Sequence, residues 1–123
     1  MSAERKNTDI DNELWCRGVE PEDEKSFDEA AIFYLMAAKM GNASAQSNLG
    51  NLLDDKVSLP RPDEAVYWYK KAVKNGNSVG AWNLAMHYRN LGDDIQGLRW
   101  LQIAARMGDE NAQFLLSRLK TIV

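Results

Sequence analysis

His87 and Cys16 are the only histidine and the only cysteine in a chain of 123 residues, and a thiolate–imidazolium pair is the nucleophilic centre they could build. Such a pair needs both groups brought together and oriented, and nothing in the sequence provides for that. His87 precedes Tyr88 in a stretch of helical periodicity, where it reads as a polar residue beside a core. Other chemistries fare no better. There is no glycine-rich phosphate loop, no histidine pair at metal-ligand spacing and no glycine-flanked serine. A lone cysteine excludes internal disulfides and zinc sites built on paired cysteines. The stretch "GNASAQSNLGN", residues 41–51, is rich in glycine and serine, yet its spacing fails as a nucleotide loop and suits a helix turn followed by an alanine-rich helix. The reading is therefore no catalytic residue, no metal, no cofactor and no enzyme.

What the chain does contain is one segment written three times. "EAAIFYLMAAKMG" at Glu29–Gly41 returns as "EAVYWYKKAVKNG" at Glu64–Gly76 and as "QGLRWLQIAARMG" at Gln96–Gly108. Phe33, Trp68 and Trp100 share one column, at spacings of 35 and 32 residues, and a period in that range marks a solenoid of helix pairs. Within a segment, Ala65, Trp68, Tyr69 and Ala72 follow the i, i+3, i+4, i+7 pattern, which draws a small and aromatic stripe along one helix. The closing glycine suits a left-handed cap. A second periodic stretch follows each glycine, and Leu49, Leu84 and Leu116 align in it. The gap of a few residues makes each pair of helices antiparallel.

The expected helices run over 26–40, 43–54, 62–75, 78–90, 94–107 and 110–121, with Asp63 and Asp94 as caps or first-turn acids. The fold class is all-α: a right-handed α-solenoid of three stacked antiparallel helix pairs over residues 27–123. An acidic N-terminal segment, 1–26, holds a further capping helix near 9–17 and a charged turn, "GVEPEDEKS". Net charge is −3, but residues 1–30 carry ten acids and four bases while residues 31–123 carry eight acids and eleven bases. No apolar run is long enough to span a membrane, and the start lacks the apolar stretch of a signal peptide. The expected location is cytoplasmic.

The columns resemble the Sel-one-like repeat family, relatives of tetratricopeptide repeats. "EAVYWYKKAVKNG", "ASAQSNLG" and "ENAQFLLS" carry its alanine, aromatic pair, small pair, glycine, alanine–glutamine and leucine–glycine pattern. Departures are Gly97 for alanine and Leu101 for the second aromatic, and no glycine-rich turn precedes the second or third unit. The resemblance implies a protein-binding scaffold with no activity of its own and no catalytic residues to carry over.

Binding then rests on surfaces. With Ala65, Trp68 and Ala72 turned inward, Tyr67, Lys70, Lys71 and Lys74 lie roughly 140–240° around the helix, on the side that lines the concave face of stacked pairs. Their counterparts are Ile32, Leu35, Met36 and Lys39 in the first unit and Arg99, Gln102, Ile103 and Arg106 in the third. Lys39, Lys74 and Arg106 form a cationic column with apolar neighbours, which suits an acidic protein segment. The dipole at helix C-termini accounts for each cation singly; the mixed face as a whole points to binding. Trp82 and Met86 fall outside the core by the same wheel, as an outer-face anchor or as lateral packing against Phe114.

The expected function is a module that binds one protein partner, a toxin or effector, as a stoichiometric inhibitor such as a bacterial immunity protein. The alternatives are an adaptor in a regulatory or secretion complex and a self-associating repeat fragment. Nucleic acid and membrane are not expected as partners, and the expected state is a monomer.

Overall fold

The computed structural model describes residues 24–122, and among them every regular element is an α-helix. The helices are α1 (Glu24–Lys39), α2 (Ala43–Asp55), α3 (Pro62–Lys74), α4 (Ser78–Asn90), α5 (Asp94–Arg106) and α6 (Glu110–Ile122). Each boundary lies within two residues of its sequence expectation. The capping helix expected near 9–17 and Cys16 lie outside the described residues. The end of the charged segment expected as a turn is instead helical from Glu24.

One residue builds each turn of the repeated segment. Gly41, Gly76 and Gly108 adopt φ of 94°, 86° and 100°, the left-handed conformation that closes a helix without a Cβ penalty. The next residue donates its backbone N–H to the column alanine five positions earlier: Asn42 to Ala37, Asn77 to Ala72 and Asp109 to Ala104. The same side chain then accepts from the following helix, at Ala45 N (2.7 Å), Gly80 N (3.2 Å) and Ala112 N (2.8 Å). A single polar residue thus ends one helix and caps the next. α5 is capped by Asp93, with Asp94 in its first turn. α3 has no side-chain cap and starts on Pro62, whose missing N–H is no loss at a helix start.

The helices pack in chain order, with the most extensive contacts between α2 and α3 and between α4 and α5. Ala65, Tyr69 and Ala72 of α3 are fully buried, as are Ala30, Tyr34 and Ala37 of α1 and Leu101 and Ala104 of α5. Phe33, Trp68 and Trp100 are only half-buried and pack on the margins of the core. The second residue of each pair, Tyr34, Tyr69 or Leu101, is therefore the deeper one, because it sits on the same stripe as the alanines.

The two inter-repeat junctions differ in chemistry. Between α2, α3 and α4 the links are polar: Asn75 Nδ2 donates to Gln46 Oε1 (2.9 Å), Ser47 Oγ to Asn77 Oδ1 (3.1 Å), and His87 Nδ1 to the two Asp54 carboxylate oxygens (2.9 and 3.0 Å). The Tyr69 hydroxyl makes a longer bond of 3.4 Å to the same carboxylate. The aligned positions around α4, α5 and α6 hold Ala81, Trp82, Leu101 and Leu119, with an apolar cavity of about 340 Å³ lined by Met86, Leu98, Leu115 and Leu119 among others.

Candidate functional site

The surface expected to bind is carried by α1, α3 and α5, which alternate with the helices that supply most of the buried leucines. On each, the alanine stripe faces inward and the opposite side is left to solvent. Ile32, Met36 and Lys39 of α1, Tyr67, Lys70, Lys71 and Lys74 of α3, and Arg99, Gln102 and Arg106 of α5 are all exposed. Ile103 is half-buried and packs on the core beside Ala104, so its part in that surface is smaller than its column suggests. Leu35 is likewise half-buried.

Among the described residues, none of Lys39, Lys74 and Arg106 forms a salt bridge. Each sits in the last turn of its helix, where the carbonyl ends of the backbone favour a cation. Next to them the surface is apolar. Ile32 is 61% exposed and Tyr67 55%; the Tyr67 and Trp68 rings meet in a T-shaped contact at 5.1 Å and 82°.

A depression of about 360 Å³ opens between α1 and α3 against this face. Ile32, Leu35, Leu53, Val57, Leu59 and Trp68 form its apolar walls, and Arg61 and Glu64, paired at 3.2 Å, stand at its edge. Its loop wall is fixed by Asp28, which accepts from the backbone N–H (2.9 Å) and the hydroxyl (2.7 Å) of Ser58. Those two bonds hold the Asp28 carboxyl below its ordinary range. The site can therefore take an apolar side chain in the depression and carboxylates along the cationic column.

Trp82 and Met86 require a correction. Both are half-buried and pack against the core cluster of Ala81, Ala85, Leu101, Ala104 and Ala112. The wheel argument placed them outside because it used Leu84 and Tyr88 as the only inward direction. In a stacked repeat the second helix has two inward directions, toward its own hairpin and toward the next, and Trp82 takes the second. Phe114, named as the lateral partner, is exposed.

His87 is buried with its ring nitrogen on Asp54, and the Tyr69 hydroxyl beside them is pushed well above its ordinary range by burial and by the Asp54 carboxylate. The cluster spans three helices and serves as a clasp. The sequence pairs His87 only with Cys16; the signal that could have found the clasp is that Tyr69 and His87 stand where the next junction has Leu101 and Leu119, with Asp54 in place of the cation Arg89. No group of three or more potential ligand side chains is placed to hold a metal ion among the described residues. No helix among them is long and apolar enough to cross a membrane.

Three consecutive windows, residues 17–42, 43–77 and 78–109, match the family model described as Sel1 repeat. The second and third windows begin with α2 and α4, so the family unit takes in each of the two pairs with the most extensive packing, α2 with α3 and α4 with α5. No curated protein matches the chain significantly.

Proposed function

The chain belongs to the Sel1 repeat family, whose repeats mediate protein–protein interaction, and from that premise we propose that it binds one partner protein through the concave face of α1, α3 and α5. The observation that carries this is the juxtaposition of three cations that form no salt bridge among the described residues with exposed Ile32, Met36 and Tyr67 beside a depression of about 360 Å³. An acidic segment with an apolar anchor fits both halves of that surface: its carboxylates meet Lys39, Lys74 and Arg106, with Lys70, Lys71, Arg99 and Gln102 on the rim, and its anchor enters beside Trp68. Aromatic and apolar anchors in pockets supply most of the affinity of such interfaces, while the charges set approach and register.

The role is stoichiometric inhibition, as an immunity protein restrains a cognate toxin. A single face of three helices supports this reading over that of an adaptor, which must hold two clients at once. Binding is non-enzymatic, in keeping with Sel1 repeat proteins as interaction modules.

The test is affinity capture from the source cell, followed by the double charge reversal Lys74→Glu/Arg106→Glu in the recovered pair. Loss of affinity by about tenfold or more is expected. Unchanged binding would remove the face from consideration. For the inhibitory role, the captured partner expressed alone should arrest growth, and co-expression of this chain should restore it.

A further inference from the structure

The columns that bury the second helix of each unit against the next unit can be followed along the chain. Ser47, Trp82 and Phe114 share one column; Ser47 is 1% exposed, Trp82 is half-buried and Phe114 is 64% exposed. Gln46 and Ala81 are buried where Gln113 is exposed, and Gly50 and Ala85 are buried where Ser117 is exposed. In α2 and α4 that side is covered by α3 and α5. α6 therefore presents a repeat-to-repeat face of the same kind without a helix over it among the described residues.

The charges on α6 say what fits there. Glu110 and Arg118 lie four residues before and four after Phe114, on the same side of the helix and both exposed. The Arg118 guanidinium stands over the Phe114 ring at 5.9 Å. A second α6 laid antiparallel, with the two-fold axis at Phe114, brings Glu110 of each copy opposite Arg118 of the other. The pattern is its own complement, which is the condition for an isologous dimer. Head-to-tail stacking is disfavoured at the other end of the array. Ala30 and Tyr34 of α1, whose counterparts Ala65 and Tyr69 meet the preceding helix, are already buried, so α1 offers no open stripe to a second copy.

We propose that the chain forms a two-fold dimer through antiparallel α6 helices, with Phe114 packed on its counterpart and Glu110–Arg118 pairs at both flanks. This revises the expectation of a monomer. It uses none of the residues assigned to the partner face, so the two readings stand or fall separately.

The experiment is sedimentation equilibrium of the full chain across a concentration series. A reversible monomer–dimer equilibrium is expected. Phe114→Glu, at an exposed position and with its fold checked by circular dichroism, is expected to raise the dimer dissociation constant by about tenfold or more. Glu110→Arg alone sets four arginines at the interface and Arg118→Glu alone sets four glutamates; each weakens the dimer by about threefold or more. An equimolar mixture of the two single variants restores it as a heterodimer, because every pair is again of opposite sign. The proposal is overturned by a monomer at every concentration, as when another chain covers α6. A dimer indifferent to Phe114→Glu, or two weakened variants that fail to rescue each other, overturns it equally.

Discussion

The junction of α2, α3 and α4 and the junction of α4, α5 and α6 use the same columns for opposite ends. In the first, Asp54, Tyr69 and His87 meet as a hydrogen-bonded clasp, and Gln46 and Ser47 reach Asn75 and Asn77. In the second, the aligned Leu101 and Leu119 leave a cavity, and Trp82 packs on the core cluster where Ser47 had donated a hydrogen bond. Polar contacts are directional and costly to leave half-made, so they fix register; apolar contacts tolerate slack. The helix scaffold is thus indifferent to what fills its junctions, provided the alanine stripe is kept.

That contrast can be broken most severely at Gly50. A methyl group there would lie 2.5 Å from the Tyr69 ring and 3.1 Å from the Ala65 carbonyl oxygen, and a ring held at 1% exposure has nowhere to turn. Gly50→Ala is expected to destabilise by about 2–3 kcal/mol in urea unfolding despite the better helix propensity of alanine. A smaller effect comes from making the clasp resemble the apolar junction. His87→Leu leaves the Asp54 carboxylate with only the longer Tyr69 bond and should lower stability by about 1–2 kcal/mol, softened because that side chain keeps 24% of its surface in water. Asp54→Ala added to His87→Leu should recover part of the loss, giving a double-mutant cycle whose coupling is absent from the aligned Arg89 and Leu119. The smallest change, and of opposite sign, is Gly97→Ala. Its nearest neighbour is the Ala85 carbonyl oxygen at 3.4 Å, an ordinary contact, and the substitution restores the alanine found at Ala30 and Ala65. A gain of about 0.5–1 kcal/mol in the same unfolding measurement is expected.

Much of this was legible without coordinates. The spacing of Phe33, Trp68 and Trp100 gives the repeat, and the glycines at 41, 76 and 108 give the turns, because both follow from local rules: helical period and the left-handed cap. Exposure of Tyr67, Lys70, Lys71 and Lys74 also follows, since one helix wheel suffices when a helix has a single buried stripe. The same wheel failed at Trp82 and Met86, which answer to a neighbouring unit. It could not see the Asp54–His87 pair, whose members are 33 residues apart and on different helices, nor the depression beside Ile32, which exists only where α1, α2 and α3 converge.

By itself, then, the sequence determined the six helices of the described residues, their turns and the inward stripe of α1, α3 and α5, because these depend on contacts within a few residues. Which unit meets which and what stitches each junction were decided only by tertiary structure. Those depend on the stacking of stripes that the chain specifies one at a time but satisfies together.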